Sequence, residues 1–203
     1  KNNKKEREKK MSRYDVIIIG AGPGGIFAAY ELAKKAPELK VAVFEAGNSL
    51  EKRKCPIDGK KIKSCINCKT CAIMSGFGGA GAFSDGKYNI TNDFGGTLYE
   101  YIGKDTAIDL MKYVDEINLA YGGEGTKMYS TAGTDIKKLC IQNELKLLDA
   151  SVRHLGTDIN YIVLENLYKE LKEKVEFRFN YRVDELEAVD GGYRVISGDS
   201  TDE

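Results

Sequence analysis

The chain reads as an α/β protein of Rossmann-like type, and three observations lead there. A short all-apolar run, Val16–Ile19, opens straight into Gly20-Ala21-Gly22-Pro23-Gly24-Gly25. Good helix formers follow over residues 26–35, with Ile26, Ala29, Tyr30 and Ala33 on one face. A second apolar run, residues 41–44, ends on Glu45. Strand, G-x-G-x-x-G, helix, strand and acid in this order make the βαβ unit that cradles a dinucleotide.

Each part of that unit has a physical task. The first apolar run is expected as a parallel strand buried on both faces. Gly20 allows the tight turn, Gly22 lets the backbone approach a pyrophosphate, and Gly25 lets helix and strand pack closely. The N-terminus of the helix offers unpaired N–H groups and a partial positive charge to phosphates. Glu45 is placed to accept hydrogen bonds from a ribose hydroxyl, and its charge would repel the 2′-phosphate of NADP. The glycines alone do not separate NAD from FAD, which share the pyrophosphate geometry.

The chain has 203 residues, enough for one sizeable domain or for part of a larger one. Lysines and arginines, 31, equal aspartates and glutamates, 31, so the overall charge points to no nucleic-acid or acidic partner. No apolar run approaches membrane-spanning length and the start does not read as a signal peptide, so a soluble cytoplasmic protein is the expectation. Residues 1–10 (KNNKKEREKK) are expected to form a disordered basic tail, with Met11 a natural start.

Residues 11–203 are expected to form the N-terminal portion of one nucleotide-binding domain, interrupted by a Cys- and Gly-rich insertion over 51–130. The insertion opens with a local positive patch from Lys52, Arg53 and Lys54 to Lys69. Residues 105–121 predict an amphipathic helix burying Ile108, Met111, Val114, Ile117 and Leu119–Ala120, ended by Gly122-Gly123. Thr134 or Asp135 would cap a short helix through Ile141. Residues 145–152 predict a strand or strand-like connection, RHLGTD at 153–158 a loop, and Thr157 or Asp158 the cap of a helix to about Lys174. Residues 175–179 and 182–189 predict strands, and Asp190-Gly191-Gly192 turns the chain into a hairpin strand over 193–197. The sheet implied is βαβ first and a β-meander late. Gly198-Asp199 resembles a late flavoprotein signature but follows a hairpin strand and precedes no helix, so it carries no such role.

Two further stretches could carry chemistry. Cys65, Cys68 and Cys71 form CxxCxxC, with Cys55 upstream. Thiolates spaced in this way suit a [4Fe–4S] cluster or a structural Cys₄ zinc site. A redox-active disulfide and inert thiols are the other readings, and Cys140, in a helical pattern, reads as a small core residue. Residues 76–81 spell a second GxGxxG, but no strand precedes it and no helix follows. It is expected to be a loop whose backbone N–H groups face a ring or phosphate, with Ser84 and Asp85 as polar contacts. His154 is the only histidine and sits beside Arg153. With Asp85, these two are the acid–base candidates to test first.

The stretch DVIIIGAGPGGIFAAYELA…VAVFE resembles the N-terminal FAD-binding signature of the glutathione-reductase-like, two-dinucleotide-binding flavoproteins (the GR2 type). RKCP, CxxCxxC, GFGGAGAFSDGKYNIT and RHLGTD resemble more closely a family of uncharacterised FAD-dependent dehydrogenases within them. The resemblance implies FAD, with pyrophosphate over Gly20, Gly22, Pro23, Gly24 and Gly25 and the adenosine ribose near Glu45 and Ala46. It implies that Gly78, Gly79, Ala80, Gly81, Ser84 and Asp85 lie near the flavin and that Val183 contacts adenine through its backbone. Members of that family are much longer, so the chain is expected to hold an incomplete FAD domain.

The leading expectation is therefore an FAD-dependent oxidoreductase of unassigned substrate and electron partner, with the Cys₄ centre of Cys55, Cys65, Cys68 and Cys71 as a possible relay. An NAD-dependent dehydrogenase and a zinc-stabilised nucleotide- or RNA-associated module are the alternatives.

Overall fold

The computed structural model describes residues 12–198 and 200–202; the basic tail at 1–10 lies outside them. They divide into two compact units, one formed by the chain up to Gly81 with the part from Lys169 onward, the other by Ala82–Tyr168. The stretch expected as one insertion, 51–130, is thus shared between both.

The first unit is built on the βαβ. Strand β1 (Val16–Ile19), helix α1 (Pro23–Lys35) and strand β2 (Val41–Glu45) follow the predicted bounds. A later strand, β6 (Glu176–Phe179), joins them, and the sheet order is β1-β2-β6, all parallel. Residues 175–179 were expected as a strand leading into the late meander, not as a third parallel strand of this sheet. Position decides otherwise: β2 is central and all five of its residues are buried, whereas β6 is an outer strand. The same logic corrects β1. It was expected to be covered on both faces, yet Ile19 is 50% exposed, because β1 pairs with β2 alone.

Both faces of β2 are covered. Helix α1 buries Ile26, Ala29, Tyr30 and Ala33, the face its spacing marked. On the other face lies an antiparallel meander of β7 (Glu185–Val189), β8 (Gly192–Ser197) and β9 (Ser200–Asp202). Val189 pairs with Gly192 across the predicted Asp190-Gly191 turn. Val195 of β8 packs with Ala42 and Phe44, and Tyr14, Ile17, Tyr181 and Val183 close around them. Phe44 meets Tyr14 edge-on at 5.9 Å and Tyr181 at 4.5 Å between ring centres. The Arg178 guanidinium lies 5.2 Å above the Phe44 ring and donates to the Tyr14 hydroxyl at 2.6 Å. Residues 53–78 form no helix or strand.

The second unit has its own antiparallel sheet of β3 (Lys87–Ile90), β4 (Met128–Ser130) and β5 (Ser151–His154), in the order β3-β5-β4. Around it are α2 (Leu98–Ile102), α3 (Lys104–Asn118), α4 (Ile136–Gln142) and α5 (Gly156–Leu171), the last running past Tyr168 into the first unit's sequence. Helix α3 ends in a π-type turn, Leu119–Gly123, at the predicted glycine pair. It buries Ala107, Asp115, Ile117 and Asn118, while the expected Ile108, Met111 and Val114 are only half-buried. Arg153 and His154, expected in a loop, belong to the central strand β5, and residues 145–150 before it are irregular. Among the described residues no helix is long and apolar enough to cross a membrane.

Phe44 is 1% exposed and joins the meander to the parallel sheet. Phe44→Ala is expected to lower stability by about 3–5 kcal/mol, read from a denaturant unfolding curve.

Candidate functional site: the glycine turn and its carboxylate

The turn between β1 and α1 is built by its glycines. Gly20 donates to Phe44 O at 2.8 Å, extending the sheet by one bond, and turns the chain with φ +97°. That backbone conformation suits glycine alone. Gly22 then stands in extended conformation at the N-cap, with Pro23 starting α1. A side chain on Gly25 would begin 1.9 Å from Gly20 O, so the helix can approach the strand only with glycine there. At Gly22 and Gly24 the opposite holds: nothing lies within 4 Å of where a side chain would begin. In the first turn of α1, Pro23 has no N–H and Ile26 donates to Gly22 O at 2.9 Å, so the Gly24 and Gly25 amides lie at the positive end of the helix dipole without an i−4 partner inside the helix.

Glu45, at the end of β2, is 6% exposed and ties the turn to two distant segments. Its Oε2 accepts from the Ala21 amide at 2.7 Å; its Oε1 accepts from Gly47 and Gly76, each at 2.8 Å. Three charge-assisted bonds to backbone N–H groups compensate the burial of the carboxylate. They also occupy most of its acceptor capacity of roughly four lone-pair directions, leaving one on Oε2. Residues 180–183 cross the same end of β2, through Asn180 N to Gly47 O at 2.8 Å and Tyr181 N to Glu45 O at 2.9 Å. Val183, just beyond Tyr181, packs against the cluster of Ala42, Phe44 and Val195.

The glycine-rich loop at 76–79 is laid directly on the turn. Phe77 donates to Asn48 O at 3.0 Å, Gly78 to Ala21 O at 2.8 Å and Gly79 to Gly76 O at 2.8 Å. A side chain on Gly47 would begin 2.4 Å from Gly76 N, and one on Gly79 would begin 3.2 Å from the Gly22 Cα. These glycines therefore serve backbone-to-backbone contact. Their N–H groups were expected to face a ring or phosphate. The structure corrects this for Gly78 and Gly79, whose amides are taken within the protein.

A residue that sequence reasoning passed over holds the loop from behind. Arg53, read only as part of a positive patch, is 6% exposed. Its guanidinium donates to four carbonyls: Ala72 at 2.9 Å, Ile73 at 2.6 Å, Phe77 at 2.7 Å and Gly79 at 2.7 Å. Burial pulls its pKa below the ordinary arginine value, and the charges of Glu45 and Cys71 oppose that shift. An arginine amid lysines was the available signal, since only its planar fork can reach several acceptors at once.

The acid–base candidates sit in the second unit. Arg153 is 8% exposed and forms a two-pronged ion pair with Asp115, at 2.6 and 2.8 Å, while donating to Thr126 O at 2.7 Å. Its donors are held by the fold, which argues against a catalytic role. Asp85 is exposed and bonded to Lys87 at 2.6 Å. That bond, with His154 adding to it, holds the Asp85 carboxyl below its usual pKa. His154 pairs with Lys87 across β3 and β5, and Lys87 in turn bonds Asp85, so the three exposed residues are neighbours. Ser84 accepts from the Gly86 amide through its hydroxyl, at 3.2 Å, and from Thr157 through its carbonyl, at 3.1 Å. Ala80 is exposed and Gly81 half-buried.

The expected Cys₄ centre is not assembled. Cys65 and Cys68 are exposed, Cys55 and Cys71 half-buried, and all are free thiols. Among the described residues no three cysteine, histidine or acidic side chains are grouped to hold a metal. Spacing brought these cysteines into one loop, but that loop has no regular element to aim them together. The residues present do not fit an iron–sulfur cluster or zinc ion in this arrangement.

Two similarities of fold bear on what the turn belongs to. Glycine oxidase from Geobacillus kaustophilus superposes with a TM-score of 0.50 at 16% identity, covering 95% of this chain and 53% of that one. A 3-ketosteroid-Δ4-(5α)-dehydrogenase from Rhodococcus jostii RHA1, solved with 4-androstene-3,17-dione, superposes with a TM-score of 0.54 at 15% identity, covering 97% and 44%. The chain has a Rossmann-type α/β fold in common with these two proteins and spans about half their length.

In sequence, the Thi4 family matches residues 2–51, ending before the cysteine loop. The thiamine thiazole synthase of Yarrowia lipolytica is 58% identical over 38 residues, 19% of this chain and 12% of its own length. That of Phaeosphaeria nodorum is 64% identical over 33 residues, 16% of this chain and 10% of its own. The sequence likeness is thus to the glycine-turn segment of proteins that this chain spans only in small part.

Replacing Arg153 by methionine would strand the Asp115 carboxylate in the interior. The expected cost is about 3–5 kcal/mol of stability, seen as a lowered thermal midpoint. A catalytic arginine with a free guanidinium would leave the midpoint unchanged.

Proposed function

We propose that the chain forms the cofactor-binding part of an FAD-dependent oxidoreductase, with the pyrophosphate held at the N-terminus of α1. The observation that carries this reading is the space left open at Gly22 and Gly24 beside the N-terminus of α1. The fold shared with flavoproteins favours FAD over a nicotinamide used alone. The acceptor direction left on Glu45 suits one hydroxyl of the adenosine ribose and disfavours a 2′-phosphate. Val183, beside the same end of β2, suits the adenine. When bound, the flavin supplies hydride and electron transfer; the residues described here bind and orient it.

The Thi4 family match, over residues 2–51, includes the segment that would hold the dinucleotide. That supports a nucleotide cofactor and assigns no substrate. Asp85 and His154, neighbours in the second unit, remain the acid–base pair to test once a substrate is found. No observation favours the RNA-associated reading.

Titration of FAD against the purified chain, followed by flavin fluorescence, tests the proposal. The Cβ of Gly22→Val meets no atom within 4 Å and the position has no positive φ, so the variant should keep the wild-type far-ultraviolet circular dichroism. Its branched side chain would occupy the place of the pyrophosphate, and affinity for FAD should fall at least about tenfold. Unchanged FAD binding by Gly22→Val, or a wild-type chain that takes NADH and refuses FAD, would overturn the reading.

A further inference from the structure

We propose that Arg53 is a positioning residue for the cofactor site, holding the loop at 72–79 against the glycine turn without touching the cofactor itself. The inference rests on the FAD reading above. It starts from polarity. The loop is gripped at its amides by an anion and at its carbonyls by a cation. Glu45 accepts from Gly76, and Arg53 donates to Ala72, Ile73, Phe77 and Gly79. A side chain on Gly76 would begin 2.6 Å from the Arg53 Cδ, so the backbone lies flat against the arginine stem.

Directional bonds to carbonyls both before and after Gly76 fix the shape of the whole bend, which a point charge could not do. The far side of that bend is what meets the turn. Gly78 donates to Ala21 O at 2.8 Å, and Gly79 stands against Gly22. Gly22 is the residue whose open front would face the pyrophosphate. Removing the guanidinium leaves four carbonyls seeking other donors, and the bend can then lift from Ala21 and Gly22. The turn keeps its sequence and loses its wall.

The same bend ends the cysteine loop, because Met74 and Ser75 donate to Cys71 O at 3.1 and 2.8 Å. Arg53 thereby joins the cysteine-bearing segment to the nucleotide turn.

The test compares the wild-type chain with Arg53→Met and Arg53→Lys. Affinity for FAD is measured by fluorescence titration, and chymotryptic cleavage at Phe77, which is fully buried in the wild type, reports whether the bend is seated. Far-ultraviolet circular dichroism reports the βαβ unit. The expected result is retained circular dichroism, rapid cleavage at Phe77 and FAD affinity weakened about tenfold or more in Arg53→Met, since bonds to a charged donor are lost. Arg53→Lys should be cleaved too, because an ammonium cannot span four carbonyls. Should Arg53→Met fail to fold, Arg53→Lys decides alone. A protected Phe77 with wild-type FAD affinity in a folded variant overturns the proposal. If the wild-type chain binds no FAD, the functional reading fails, yet cleavage at Phe77 still decides whether Arg53 seats the loop.

Discussion

The buried carboxylate of Glu45 is the interaction on which the first unit depends. One side chain at the end of the central strand accepts from Ala21 in the glycine turn, from Gly47 in the segment leaving β2, and from Gly76 in a loop 31 residues further on. Water would satisfy a carboxylate equally well, so burying it is favourable only if all three amides arrive together. That requirement makes turn and loop a single assembly. It also explains the glycines at 47 and 76, because side chains there would hold the two backbones apart.

Arg53 complements this arrangement from the other side of the same loop. A long segment without helix or strand normally stays at the surface, where water satisfies its peptide groups. Here 76–78 is drawn inward because a guanidinium supplies donors for four carbonyls of the loop while Glu45 supplies an acceptor. Upstream, the segment carrying Cys65 and Cys68 has no such anchor and stays exposed.

Local pattern made the βαβ unit readable in advance. Apolar runs set β1 and β2, spacing marked the buried face of α1, and the jobs assigned to Gly20 and Gly25 match the turn and the close approach that the structure shows. The hairpin at Asp190-Gly191 was equally local. What sequence could not show depends on partners far along the chain. Val16–Ile19 looks fully buried until its place at the side of the sheet is known. Arg153 looks like a loop residue available for chemistry until Asp115, 38 residues away, is seen beside it. The second GxGxxG looks like a phosphate cradle until its amides are found bonded to Asn48, Ala21 and Glu45. The CxxCxxC spacing shows that thiols can meet, whereas the loop carrying them leaves them apart.

The central claim is that one carboxylate assembles turn and loop, and amide hydrogen exchange resolved residue by residue tests it most directly. In the wild-type chain the amides of Ala21, Gly47 and Gly76 should be protected. In Glu45→Gln, where an NH₂ group replaces one acceptor oxygen, all three should exchange faster together, by about tenfold or more. A fast Gly76 amide in the wild type, or acceleration confined to Gly47 in the variant, would contradict the account.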